Sequence, residues 1–532
     1  MDGGSSPGRK QEPLLQQLAS FPGTFWVANW MEVVERFAYY GLRTVVPIYM
    51  VLAHELGGPE FTHTQKAQVF LWWAMVQSFL PVFTGGLADR FGYKLNIAVA
   101  TTVKIVGYLV MGWAIDLASM KTGLSVSEHL GAAGGEWTYP VFFTGAMLLA
   151  AGTAIFKPGL QGMIGTVMPK GREAVGWAVF YQMVNVGGFI GPFLAAYMRI
   201  LDWKYVFLFC TFGIALNYIP LLFLPEPKRE TDAFGTSNAN AGFLEKASDF
   251  LVVVGKSIAE FFRPRVFFFS ITFAGFWLMF YQLFDILPNF IDDWVDSRAI
   301  VAGLESLTWA GFTPVLANGN LPPEWMINFN ALLISLFAFL MGWVTGKMRS
   351  LTAMVVGIGI CVVSIYALGM SLDGWWTLLA IGVFSIGEMT ASPTKLRYMA
   401  SIAPPGKKGL YLGYANATVG MGWSIGSVVA GHLYEDGGDK VNLARKHLVE
   451  VIGQDSTTVE ALKKTDVMPR LADAIGADVE TAQRLLWDTY DPGSMWLIFA
   501  IIGGCSLVGL RIFDHFVRRW DALHPRVPEK LG

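Results

Sequence analysis

The sequence predicts an all-α membrane protein of about twelve transmembrane helices in two six-helix bundles. Three observations carry that expectation. Of 532 residues, 53% are hydrophobic and only 15% charged, with a mean hydropathy of +0.45, a composition unlike that of a water-soluble domain. Apolar runs of roughly 20 or more residues recur along the chain, each long enough to cross the hydrocarbon core as a helix. A polar stretch, 225–264, divides these runs into two equal sets.

Residues 1–24 begin polar, with Gly, Ser and Pro, and are expected to form a disordered cytoplasmic tail. No basic segment, short apolar core and cleavage site follow one another, so no signal peptide is expected. The first bundle, 25–224, holds runs at 25–53, 65–88, 95–118, 139–166, 173–199 and 204–224. The second, 265–516, holds runs at 265–295, 325–347, 351–371, 375–400, 409–434 and 493–516. Between them, Leu244, Ala247, Leu251, Val254, Ile258 and Phe261 share one face of an amphipathic stretch, expected as a cytoplasmic helix in the 225–264 linker.

Basic residues set the orientation. Arg90 and Lys94, Lys170 and Arg172, Lys347 and Arg349, Lys407 and Lys408, and Arg518 and Arg519 all fall on one side of the spans. Excess Lys and Arg mark cytoplasmic loops, so both termini, including the tail 517–532, are expected in the cytoplasm of a cell (inner or plasma) membrane protein. A Gly- and Pro-containing loop, 296–322, and a polar insertion with helical character, 435–492, are then expected outside.

Several function classes are excluded by what the sequence contains. A net charge of −2 gives no bulk attraction to nucleic acid. Cys210, Cys361 and Cys505 sit in apolar runs without metal or disulfide spacing. The seven histidines show no ligand spacing, so no metal and no cofactor is expected. VVVGKS at 252–257 lacks the earlier glycine of a phosphate-binding loop, and an enzyme is not expected.

What distinguishes the chain is charge at membrane depth. Glu32, Glu35, Arg36 and Arg43 lie in one span, and each would cost about 2.5–3.5 kcal/mol at the bilayer centre without a partner. With Tyr39 and Tyr40 they form one stripe of a helix, a path for a proton or polar solute. Lys157, followed by Pro158, Asn185, Asp285 and Glu388 are further polar positions inside spans. Counted by helical rise, Arg36, Lys157 and Glu388 lie roughly 14–18 Å above the cytoplasmic boundary. Opposite charges from the two halves thus share one depth, while Arg43 and Asp285 lie near the outer mouth. An outer pair formed only when that side is closed is the two-state element that alternating access needs. Competing readings remain open: static ion pairs that fix packing, a snorkelling Lys157, Asn185 as interhelical hydrogen-bonding glue, and tyrosines that pack as core.

Two sets of six spans match the two-bundle architecture of the major facilitator fold. GGLADRFGYK (85–94) resembles that superfamily's gating motif; Asp89 suits a helix N-terminus, and Arg90 suits the cytoplasmic face. MEVVERFAYYGLR (31–43) resembles the E-x-x-E-R-F-x-Y-Y signature of the proton-dependent oligopeptide transporters, with support from FKPGLQG, FYQMVNVGGFIGP, FWLMFYQ, LPPEWMINFNALLI and IGEMTASPT. The resemblance implies a proton-coupled symporter importing di- and tripeptides or related carboxylate-bearing molecules. It implies that Arg36 and Lys157 hold the substrate carboxylate and that Glu388, with Asn185 and Asn330, holds the amine. Tyr39, Tyr40 and Gln282 would complete the substrate site. Glu32 and Glu35 would serve proton coupling, pairing with Arg36 and Lys157, and Arg43 and Asp285 would gate the outer side.

The chain departs from the family in places. No pair of extra spans fits in 225–264, the outer insertion lies between spans 11 and 12, and LWWAMVQSFLPVFTGG lacks the tyrosine or histidine that often faces the cavity. Lys395 and Arg397 after Glu388 are unusual. The expected partners are a peptide-like small molecule, protons and the lipid bilayer, with the chain a monomer. A drug or metabolite exporter of the same superfamily, and a transporter-like receptor or scaffold, are the competing functions.

Overall fold

The structure, a computed structural model, describes residues 14–123, 125–126, 137–169, 172–226, 259–308, 311–404 and 408–523. Most of the expected linker helix and the extreme termini lie outside the described residues, as do the side chains of 82–91, and so of Asp89 and Arg90.

Among the described residues, twelve helices account for the spans. In the first bundle they are α1 (Gly23–Arg43), α2 (His63–Phe91), α3 (Tyr93–Gly112), α4 (Thr138–Val167), α5 (Glu173–Leu201) and α6 (Trp203–Ala215). In the second they are α7 (Pro264–Phe280), α8 (Pro323–Gly346), α9 (Ser350–Leu368), α10 (Gly374–Ile402), α11 (Lys408–Gly437) and α12 (Met495–Leu523). Eight segments are long and apolar enough by length and composition to cross a membrane. The other four helices, α1, α2, α10 and α11, have 21, 29, 29 and 30 residues, so polarity and not length sets them apart. They include the helices that carry Arg36 and Glu388. A helix that lines a polar interior reads as less apolar than one that faces lipid.

Packing reveals a repeat. In the first bundle α1 packs on α5 and α6, α2 on α4, and α3 on α4 and α6. In the second α7 packs on α11 and α12, α8 on α10, and α9 on α10 and α12. Adding six to each helix number converts one set into the other. The cross-bundle pairs, α2 with α11 and α5 with α8, exchange under the same operation. This is the pattern of two halves related by a pseudo-twofold axis. Within a half, small residues allow close approach: a Cβ on Gly187 of α5 would lie 2.4 Å from the Val33 carbonyl oxygen of α1.

Among the described residues the expected runs 95–118 and 204–224 divide at Trp113 and at Leu216–Asn217, and two further runs are broken at related positions. The run 25–53 ends its first helix at Arg43 and resumes as Val46–Val51, with Pro47 in the first turn. The run 265–295 divides into α7, Gln282–Asp285 and Leu287–Trp294, with Pro288 in the first turn of the last. Proline lacks an N–H and crowds the carbonyl four residues earlier, which here belongs to Arg43 and to Phe284 respectively.

The insertion expected at 435–492 is helical: Lys440–Glu450, Ser456–Glu460, Val467–Ile475 and Val479–Tyr490. Asp439, Asp455 and Asp478 cap three of these helices through backbone N–H groups of Asn442, Thr458 and Thr481. Leu443, Leu448, Val467, Leu471 and Leu486 form its buried interior, continuous with the core of the second bundle. In the loop 296–322, Arg298 on the helix Arg298–Leu307 bridges Asp296 at 2.7 Å and Glu480 of the insertion at 2.7 Å.

Candidate substrate cavity and interbundle gate

One cavity lies between the bundles. Arg36, Tyr39, Tyr40, Lys157 and Asn185 line it from the first, Asn330 and Glu388 from the second. Seven of the eight residues expected to bind substrate therefore meet around one space. Gln282 does not. It is fully buried, and its amide donates to the Leu278 carbonyl at 2.6 Å, inside the second bundle. The break after Phe280 turns Tyr281 and Phe284, rather than Gln282, toward the cavity.

The cationic wall is built on α1 and α4, with α3 behind it. Arg36 pairs with both expected acids: its Nε lies 3.0 Å from Glu32 Oε1, and its Nη2 pairs with Glu35 Oε2. The guanidinium also lies 5.2 Å from the Tyr39 ring and 5.9 Å from the Tyr40 ring, which orient it. The expected pairing of the glutamates with Lys157 is not what forms. Lys157 reaches the cavity with no ion-pair partner among the described residues, and Glu35 pairs with Lys104 of α3. Lys104 went unnoticed in TTVKIVGYLV, although a lysine amid an apolar span is the same signal that marks Lys157.

The anionic wall is different in kind. Glu388 of α10 accepts from Asn330 Nδ2 of α8 at 2.9 Å, and Asn330 also donates to Ser385 Oγ at 3.0 Å. No cation pairs with Glu388 among the described residues. Gln77 of α2 lines the cavity from the span that lacks a tyrosine or histidine; Tyr39 O–H and Trp73 Nε1–H both donate to it, at 3.0 and 2.9 Å. The two basic residues after Glu388 do not face the cavity. Buried Lys395 donates to the Ala415 carbonyl at 3.1 Å, 4.3 Å from the Trp277 ring, and Arg397 ties the α8–α9 turn through Ser350, Thr345 and Met348.

At the end that carries the insertion, the bundles are tied together. Arg43 pairs with Asp285, and its Nη1 donates to the Phe284 carbonyl at 2.9 Å. That carbonyl is free because Pro288 has no N–H to offer it. Asp285 also accepts from Trp423 Nε1 at 3.1 Å and Ser427 Oγ at 2.6 Å. Sequence reasoning missed the surrounding ties. Lys66 Nζ donates to Asn289 at 2.6 Å, and Asn289 donates to the Pro47 carbonyl at 3.1 Å. His63 Nε2 lies 2.9 Å from Asp439 Oδ2. Arg199 of α5 pairs with Glu324 at 2.9 Å and Asp292 at 3.1 Å. Lys464 of the insertion donates to the Val51 carbonyl at 2.7 Å. Beyond Gln182 and Ser335, toward the termini, no hydrogen bond or ion pair joins the bundles among the described residues. There the N-terminus of α3 is capped by Glu226, which accepts from the Tyr93 and Lys94 N–H groups at 2.7 and 3.1 Å.

Two symmetry-related bundles that enclose a charged cavity and are tied at one end define a membrane transport protein. The sequence profile described as Major Facilitator Superfamily matches residues 31–319, and the chain belongs to that superfamily. Peptide transporter YePEPT of Yersinia enterocolitica subsp. palearctica serotype O:3 (strain YE-P4) is 23% identical over 483 residues, covering 76% of this chain and 86% of that protein. Multidrug resistance protein MdtH of Shigella dysenteriae serotype 1 (strain Sd197) is 23% identical over 368 residues, covering 68% and 75%. Among solved structures, a POT family transporter in complex with 5-aminolevulinic acid has a TM-score of 0.63 at 16% identity, covering 94% of this chain and 96% of its own. Peptide transporter POT in complex with sulfate has a TM-score of 0.61 at 18% identity, covering 96% and 99%. At these identities the structural likeness speaks for the fold. The resemblance drawn from the α1 motif is borne out by the similarity to peptide transporter YePEPT.

Proposed function

We propose that this chain is a proton-coupled symporter that imports di- and tripeptides or related carboxylate-bearing molecules by alternating access. One observation carries the reading: Arg36 and Lys157 from one bundle and Glu388 from the other line a single cavity. A peptide is a zwitterion, and a bound one satisfies both walls while drawing the bundles together. In this reading Arg36 and Lys157 hold the carboxylate, Glu388 with Asn185 and Asn330 holds the amine, and Tyr39 and Tyr40 flank it. Glu32 and Glu35 supply proton coupling. Arg43 and Asp285 close the outer side, and Asp89 and Arg90 act at the cytoplasmic face. The insertion then lies outside the cell membrane, both termini lie inside, and a monomer is the working unit.

Acid-driven uptake tests this. Proteoliposomes with an inward proton gradient accumulate dialanine above equilibrium, and dissipating the gradient abolishes accumulation. Failure to accumulate any dipeptide, with retained exchange of another carboxylate-bearing solute such as 5-aminolevulinic acid, would move the substrate assignment and keep the coupling. The similarity to MdtH favours one second reading, an exporter. Resistance to a toxic drug on expression, without dipeptide uptake, is its signature.

A further inference from the structure

We infer that Lys104 of α3 holds Glu35 as a standing carboxylate and leaves Glu32 as the acid that takes up the coupled proton. The inference rests on the transport reading for what the proton does, but not for where it binds. The two acids are three residues apart on α1 and are held unequally. Both Glu35 oxygens are occupied by cations, Oε1 by Lys104 Nζ and Oε2 by Arg36. Glu32 has one such contact, Oε1 with Arg36 Nε at 3.0 Å. The Oε2 atoms of both acids are buried and accept no hydrogen bond among the described residues, so the difference between them is the Lys104 contact on Glu35 Oε1.

The Lys104 contact is built into the bundle. The side chain is fully buried, and its stem passes through space that Gly152 of α4 leaves open, where a Cβ would come within 2.4 Å of Lys104 Cγ. The ammonium then lies 5.3 Å from the Phe156 ring. Such a side chain has no route to solvent without repacking α3 against α4.

The cations around the two glutamates are Arg36 on α1 and Lys104 on α3, in contact, and Lys157 on α4, which lines the cavity with Arg36. The other helices packed on α1 are charged only toward their ends, α5 at Glu173 and Arg199 and α6 at Lys204. Three cations therefore face two carboxylates. When a substrate carboxylate engages Arg36 and Lys157, Lys104 remains on Glu35 and keeps it ionised, whereas Glu32 has no second cation. The entering carboxylate draws the Arg36 guanidinium into the cavity. Glu32 then loses its one cationic contact, and its Oε2 takes a proton from solvent by way of the space Arg36 vacates, turning carboxylate into carboxylic acid. Lys104 is thus a positioning residue: it acts by fixing which acid is free to change.

Infrared difference spectroscopy of the full chain in lipid nanodiscs, stepped from neutral to acid pH, reads carboxyl protonation directly. Glu32→Gln is expected to remove one carboxyl's share of the acid band. Paired removal by Lys104→Met with Glu35→Gln, which keeps the local charge sum unchanged, is expected to leave that share in place. Lys104→Met alone is expected to add a second titrating carboxyl, and Lys104→Arg to restore the single one. An undiminished band in Glu32→Gln, or its loss in the paired variant, overturns the assignment. Transport supplies the separate check: Glu32→Gln keeps dialanine counterflow but loses acid-driven accumulation. A chain that moves no dialanine at all refutes the peptide reading, while the infrared comparison still decides the Lys104 inference.

Discussion

The two bundles solve the same problem, a charge inside a membrane, by opposite means. In the first, Glu32 and Glu35 are answered by full charges, Arg36 and Lys104. In the second, Glu388 is answered by the amide of Asn330, and Lys395 by a backbone carbonyl and the Trp277 ring. A carboxylate held by dipoles keeps its charge available to an incoming cation. One locked between two cations does not. The asymmetry gives the cavity an ammonium-seeking wall in one half and a carboxylate-seeking wall in the other. A repeat that is symmetric in its helices is therefore polar in its chemistry.

The contrast breaks most severely where the bundles meet. Asp285→Asn leaves the buried Arg43 charge without a counter-ion, facing the Phe284 carbonyl and the Phe70 and Trp423 rings, and loss of one member of a buried pair costs about 3–5 kcal/mol. Spin labels at exposed Leu56 and Val451 are expected to move apart, as the tied end opens in a large share of molecules. An unchanged distance distribution would mean that Arg199, Lys66 and Lys464 hold the end shut without it.

Next come the two walls. Glu388→Gln is expected to weaken peptides with a free amine by about 2–5 kcal/mol, roughly 30- to 5,000-fold in Kd, and to spare N-acetylated ones. Lys157→Gln is expected to show the mirror image, with free carboxylates weakened and C-terminal amides spared. Calorimetry on the purified protein reads both, and equal losses for free and blocked peptides would refute the division of labour.

Smaller effects sharpen the packing side. Gly187→Ala forces a methyl group against the Val33 carbonyl and is expected to lower thermal stability by about 1–3 kcal/mol. Lys464→Met removes one hydrogen bond between the insertion and the first bundle, about 0.5–1.5 kcal/mol. The same labels at Leu56 and Val451 should register it as a small gain in the open population.

Legibility followed the same contrast. Arg36, Lys157 and Glu388 stood out because an ionised side chain in an apolar run is costly without a purpose. Lys104 met that criterion equally and was passed over because no motif surrounded it. Lys66 and Arg199 fall near span ends, where a charge carries no such signal, and Gln77, though mid-span, carries no charge. Their roles depend on which helices meet across the interface, and helical spacing within one span does not contain that. Gln282 was misplaced for a related reason: its neighbourhood reads as one continuous helix, and the face it presents changes once the helix breaks. Pro47 and Pro288 announced the two related breaks in plain sight. The insertion read only as helical because its caps and apolar positions fit many arrangements of short helices.

Pro288 also binds two properties to one position. By withholding a hydrogen it weakens its own helix, and it leaves the Phe284 carbonyl for Arg43 to take. The pliancy that lets this segment bend and the acceptor that helps fasten it have a single origin. Selection or engineering that stiffens the hinge will also loosen the clasp, so the speed of opening and the tightness of closure are inherited together.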